Sequence, residues 1–207
     1  MNRRFTRGLT CCHCPDVIGR ATKRARATTM WVFGYGSLIW NPEFTPAERV
    51  IATLYGYQRS FCMSSIHHRG SEAEPGLVLA LDAAPEASCL GVAFRLPEVG
   101  REATLAALRE RELVSSAYRE EVLPLKLADG RMVEALAYVV DREHRQYCGA
   151  LTLEEQAVII ARARGGKGPN RDYLWQTAEH LGLLGIADAD LDQLSARVRD
   201  IVDNRLA

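Results

Sequence analysis

The chain is 207 residues long, the size of one domain rather than several. Its 26 basic and 26 acidic side chains cancel, which leaves no overall basic excess to hold a nucleic-acid backbone. With 47% hydrophobic and 25% charged residues, it has the makeup of a globular protein and not of a disordered one.

The charge is unevenly spread. Residues 1–29 carry seven basic groups against Asp16, a net of +6, while residues 30–207 hold 19 basic and 25 acidic groups, a net of −6. No stretch reaches the roughly 18 apolar residues that a membrane-spanning helix needs. The basic N-terminus lacks the apolar core of a secretory signal. Residues 1–29 are therefore expected to be a disordered extension, or to precede a working start at Met30. An Arg- and Thr-rich transit peptide is the alternative. The six cysteines (Cys11, Cys12, Cys14, Cys62, Cys89 and Cys148) form no disulfide framework. Cys11, Cys12, His13 and Cys14 are too tightly spaced to surround one tetrahedral ion, so no metal is expected. This usage fits a reducing compartment, and a cytoplasmic location is expected.

Strand signals begin directly after Met30. Trp31-Val32-Phe33 runs into Gly34-Tyr35-Gly36-Ser37, a turn of small residues. Residues 49–63 predict one or two strands broken at Gly56, and residues 67–75 a polar loop. Gly76–Asp82 and Ser88–Leu96 predict two further strands. Pro97-Glu98 is read as opening a helix to about Ser115, with proline where its missing N–H costs nothing. Residues 118–127 and 131–140 flank Asp129-Gly130, a strong hairpin signal. Leu123, Leu125 and Leu127 alternate on one strand, and Val133, Ala135, Ala137 and Val139 on the other. Thr152 with Glu155 predicts a capping box and a helix to about Arg164. Gly165–Pro169 ends it, and helices over 170–182 and 189–205 follow. The order is α+β, with strands early and helices late.

Four features could carry chemistry. The glycines of Gly34–Leu38 let backbone N–H groups approach an anion or a developing oxyanion, although a plain tight turn has the same look. Gly165–Asn170 lacks the Lys-Ser/Thr pair of a phosphate loop and reads as a helix break. His67 and His68 read as exposed loop histidines. At about 100° per residue, Glu112 falls in the apolar arc of its helix between Leu105 and Leu108, while Glu110 and Arg111 point elsewhere. An inward carboxylate must be paired, hydrogen-bonded or protonated, and Arg109 one turn back is a candidate ion partner.

Taken together, these segments resemble the ChaC-type γ-glutamylcyclotransferases. Val32-Phe33-Gly34-Tyr35-Gly36-Ser37-Leu38-Ile39-Trp40 resembles the family's opening motif. Gly56–Cys62, with Arg59, resembles its second strand. Arg111-Glu112-Leu113 with Tyr118 resembles its Arg-Glu segment, and Gly168–Leu174 resembles its late Gly…Asn…Tyr-Leu motif. The segments come in the family's order over about residues 30–205, and residues 1–29 have no counterpart.

The resemblance implies a γ-glutamylcyclotransferase-like fold, a small mixed β-barrel with packed helices, over residues 30–207. It also implies a lyase that converts glutathione to 5-oxoproline and cysteinylglycine without metal or organic cofactor. By that match Glu112 is the catalytic acid/base, and Val32, Phe33, Gly34, Tyr35, Gly36 and Ser37 form the loop that holds the γ-glutamyl group. Tyr118 is expected to contact substrate, and Arg59 to bind a carboxylate or support the loop. The expected partner is the small-molecule substrate, with no nucleic acid and no membrane. The alternatives are a cyclotransferase for other γ-glutamyl peptides or amines, and a non-catalytic regulatory protein on the same fold.

Overall fold

A computed structural model describes residues 29–149 and 151–206. The Cys11–Cys14 cluster, and all of the expected N-terminal extension but Thr29, lie outside the described residues. Seven strands and four helices follow in order: β1 (Trp31–Gly34), β2 (Glu48–Ser65), β3 (Gly76–Arg95), α1 (Arg101–Glu112), β4 (Tyr118–Leu127), β5 (Met132–Val140), α2 (Leu153–Arg162), β6 (Arg164–Gly165), β7 (Gly168–Pro169), α3 (Asn170–Leu183) and α4 (Ala189–Leu206).

Strands β1 to β5 close into a barrel in the order β1-β3-β2-β4-β5. The pairings are antiparallel except where β5 runs parallel to β1, joining Trp31 to Ala135 and Val32 to Leu136 and so shutting the barrel, and to β3 at Leu81–Val139. Two-residue alternation divides the side chains. Trp31, Phe33, Leu54, Leu81, Leu125, Ala135 and Ala137 join a buried cluster drawn from all five strands, which is the barrel interior. Val32, Phe94, Leu136 and Tyr138 point the other way. They meet Leu105 and Leu108 of α1, Ile160 of α2, Leu174 and Leu181 of α3, and Leu194 and Val198 of α4. The alternation read from residues 118–140 is therefore the barrel wall, closed by the expected Asp129-Gly130 hairpin with Gly130 at φ 89°.

Three expectations need correction. The two strands expected over 76–96 are one, β3. The break is a register shift instead: Tyr55 pairs with Ser88 and Tyr57 with Ala83, so residues 84–87, which include Pro85, drop out of the ladder. On the β2 side the shift falls at Gly56, with φ 80°. Helix α1 begins at Arg101 and not at Pro97, because Gly100 at its start is left-handed (φ 79°) and interrupts the helical run from Pro97. Gly165–Pro169 does more than end α2, since β6 and β7 form a small hairpin there. The capping box at Thr152 is present in both directions.

Candidate active site

A cavity of about 170 Å³ opens where the turn after β1, the end of α1, the β2–β3 tip and the β6–β7 hairpin converge. One water centre needs only ~10–15 Å³, so the space has room for more than a single water. Tyr35, Gly36 and Ser37 line one wall, Arg111 and Glu112 another, and Tyr118, Tyr138 and Tyr173 the floor.

The turn is held rigidly. Residues Ser37–Ile39 make one 3-10 turn, with Ile39 N–H donating to Gly36 O at 2.9 Å and Asn41 N–H to Ser37 O at 2.8 Å. Tyr35 donates its hydroxyl to Tyr138 O at 2.7 Å. From behind, Arg59 Nε donates to Tyr35 O at 2.6 Å, while its other nitrogens reach Leu90 O and Asp188 Oδ2, both at 2.5 Å. A Cβ on Gly36 would stand 3.2 Å from the Tyr173 hydroxyl, which leaves little room for any side chain between turn and floor.

Glu112 sits on the last turn of α1 with its side chain 18% exposed. Arg111, and not Arg109, is its ion partner, with Nε 3.0 Å from Glu112 Oε1. The N–H is not aimed at that oxygen, which is buried and accepts no hydrogen bond. Arg111 is engaged elsewhere: it donates to Ser37 Oγ at 2.9 Å and to Asn41 O at 2.6 Å. Arg109 instead makes a two-pronged pair with Glu120 of β4, both contacts at 2.8 Å. Burial raises the Glu112 carboxyl above its ordinary value, against the pull of the Arg111 and Lys167 cations. Burial likewise raises the phenols of Tyr35 and Tyr118, and pushes Tyr173 up to about 12, so all three remain donors at neutral pH.

The structure brings Tyr35, Gly36, Ser37, Glu112 and Tyr118 to the cavity. It does not bring Val32, Phe33, Gly34 or Arg59 there. Val32 and Phe33 are fully buried, one against the helices and one inside the barrel, because strand alternation commits both side chains to packing. Arg59 is saturated by two carbonyls and Asp188 and supports the turn from outside. Of the two roles expected for it, loop support is the one its contacts serve.

His67 and His68, expected as exposed loop histidines, are exposed and also line the cavity, as do Lys167, expected only as part of a helix break, and Arg69, which the sequence did not single out. Backbone pairing places them: Gly166 N–H donates to His67 O and Lys167 N–H to His68 O, both at 2.8 Å. The approach is close enough that a Cβ on Gly165 would lie 2.6 Å from Gly70 N and His68 C. The available signal was a polar His-His-Arg tip between two long strands. It becomes informative only once the distant Gly165–Gly168 segment is known to pair with it.

Residues 30–201 match the family described as ChaC-like protein, and the chain belongs to that family. A glutathione-specific gamma-glutamylcyclotransferase of Escherichia coli (strain K12) is 36% identical over 173 residues, covering 84% of this chain and 74% of its own length. Gamma-glutamylcyclotransferase 2-3 of Arabidopsis thaliana is 35% identical, covering 84% of this chain and 90% of its own. The fold matches a crystal structure of a yeast γ-glutamyl cyclotransferase specific to glutathione, with a TM-score of 0.77 at 23% identity, over 84% of this chain and 96% of that one.

Proposed function

We propose that this protein is a glutathione-specific γ-glutamylcyclotransferase, a lyase that converts glutathione to 5-oxoproline and cysteinylglycine with Glu112 as general acid/base. The observation that carries the reading is Glu112 itself. It is a largely buried carboxylate, paired with Arg111 through Oε1, on the lining of a cavity that the Tyr35–Ser37 turn also lines. The Escherichia coli relative, named glutathione-specific and 36% identical, supports the substrate assignment.

In the reaction the substrate's α-nitrogen attacks its own γ-carbonyl carbon. The new C–N bond closes a five-membered lactam, and the bond to the cysteinyl nitrogen breaks. The α-ammonium gives up two protons in all and the departing nitrogen gains two, so no water is consumed. Glu112 takes a proton from the attacking nitrogen and returns one to the leaving nitrogen. Its raised affinity for protons suits both halves, since a fully acidic carboxyl would be a poor base. Such catalysis contributes roughly 10²–10⁴-fold.

Attack is intramolecular, so the remaining task is to hold the folded-back conformer. A turn fixed by Tyr138, Arg59 and Arg111 serves that need, and positioning of this kind contributes up to ~7–11 kcal/mol in ideal cases. The N–H groups of the turn, and the Tyr173 hydroxyl, which accepts from Leu79 N–H and keeps its own proton, are donors for the substrate's carboxylate or the developing oxyanion. Tyr118 instead spends its proton on Leu79 O. We place the activity in a reducing compartment, the cytoplasm, in keeping with the free Cys62, Cys89 and Cys148. Among the described residues no helix is long and apolar enough to cross a membrane.

The test is a panel of glutathione, γ-glutamylcysteine, γ-glutamylalanine and γ-glutamyl-lysine, with 5-oxoproline quantified from each. Turnover of glutathione well above the others is expected. Equal or better turnover of a γ-glutamyl amine would move the assignment to the broader cyclotransferase class.

A further inference from the structure

We infer that Lys167, at the tip of the β6–β7 hairpin, reads the terminal carboxylate of the leaving dipeptide and so selects γ-glutamyl peptides over γ-glutamyl amines. The inference rests on the γ-glutamylcyclotransferase reading and deepens it.

The cavity wall carries three permanent cations, and two are committed. Arg111 is held by Ser37, Asn41 and Glu112. Arg69 is buried, donates to Lys167 O at 2.8 Å and Pro169 O at 3.2 Å, and stacks 5.5 Å over the Tyr173 ring. Lys167 is exposed at the mouth and forms no ion pair among the described residues. Its ammonium is the charge left over for a ligand.

The backbone beneath Lys167 is fixed. Gly166 and Lys167 form the turn between β6 and β7, bonded to His67 and His68, and the Gly165 contact leaves no slack against Gly70. The hairpin fixes the Lys167 Cα, so its ammonium sweeps only the volume that its own side chain can reach beside the cavity. Next to it, burial and the cations Lys167, His67, Arg69 and Arg111 hold His68 towards its neutral form, where it can hydrogen-bond a carboxylate without adding charge.

The chemistry of the substrate fits this placement. The γ-glutamyl half is consumed at Glu112, on the same cavity lining as Lys167 and within reach of its charge. The leaving half is a dipeptide that spans roughly 7 Å when extended and ends in a carboxylate. It therefore runs outward from the reacting bond to the mouth, where Lys167 stands. Amines and esters lack the anion that this cation would pair with.

The test compares glutathione with its glycyl ethyl ester on the wild-type enzyme and on Lys167→Gln, with Lys167→Arg as the charge-conserving control. Any non-proline residue keeps the backbone N–H bond to His68, so the hairpin is preserved. The wild type should favour the free acid over the ester in kcat/KM by about 5- to 30-fold, between an exposed ion pair and a charge-assisted hydrogen bond. The preference should collapse towards one in Lys167→Gln, through KM for the free acid, and return in Lys167→Arg. Equal turnover of acid and ester by the wild type, or an undiminished preference in Lys167→Gln, would overturn the inference while leaving the cyclotransferase reading intact. Absence of 5-oxoproline from both substrates would instead sink that reading, and this one with it.

Discussion

Arg111 Nη2 donates to Ser37 Oγ at 2.9 Å, and the same guanidinium lies against Glu112. One side chain at the end of α1 thus braces the Ser37 turn and pulls the proton affinity of the Glu112 carboxyl down against burial. Replacing Arg111 with Gln removes a cation that lowers the Glu112 value, so the acid limb of the pH–kcat profile should move to higher pH. The loosened turn should cut kcat about 10- to 100-fold. An unmoved acid limb would separate Arg111 from the titration of Glu112.

Glu112 also makes a stability prediction. Burial raises its folded value above the ordinary 4.5, so the neutral carboxyl is the form the fold prefers. That contribution is complete below about 4.5 and is lost as pH rises through the folded value. Glu112→Gln, neutral at every pH, should therefore melt above the wild type at pH 7.5. The gap should close on acidification below pH ~4.5. Thermal melts at a series of pH values check the sign, and a variant less stable at neutral pH would contradict it.

Arg59 and Asp188 form an ion pair with side chains 5% and 20% exposed, tying the turn, β3 and the approach to α4 together. Arg59→Ala strands a carboxylate and two carbonyls, and should cost about 3–5 kcal/mol in urea unfolding. The double variant Arg59→Ala/Asp188→Ala should recover part of that loss, because no unpaired charge remains. Simple addition of the two single effects would show that the pair is not coupled.

Asn170 acts as a side-chain strand at the start of α3. Its fully buried amide accepts from Leu77 N–H and donates to Leu77 O, both at 2.7 Å. Asn170→Ala leaves both buried groups of Leu77 unpaired, at about 1–3 kcal/mol each. Loss of about 2–6 kcal/mol in denaturant titration is the expected result. A change below 1 kcal/mol would mean that water replaces the amide.

The parts of this molecule that follow local rules were legible in the sequence. Alternation at Leu123–Leu127 and Ala135–Val139, the Asp129-Gly130 turn and the Thr152 capping box each depend on residues within one or two turns of chain. Glu112 was legible as an inward carboxylate from periodicity, while the role expected of it came from the resemblance to the ChaC-type family. Its partner was not legible. Arg109 had the right spacing, but β4 supplies Glu120 to it from across the fold, leaving Glu112 to Arg111. His67, His68 and Lys167 were likewise hidden, since their meeting depends on backbone pairing between segments about a hundred residues apart.

The central claim is tested most directly by incubating purified protein with reduced glutathione and quantifying 5-oxoproline and cysteinylglycine, beside a Glu112→Gln variant shown to be folded. The account predicts one-to-one release of the two products, lost in the variant. Release undiminished in Glu112→Gln would contradict the mechanism, and absence of both products from the wild type would contradict the function itself.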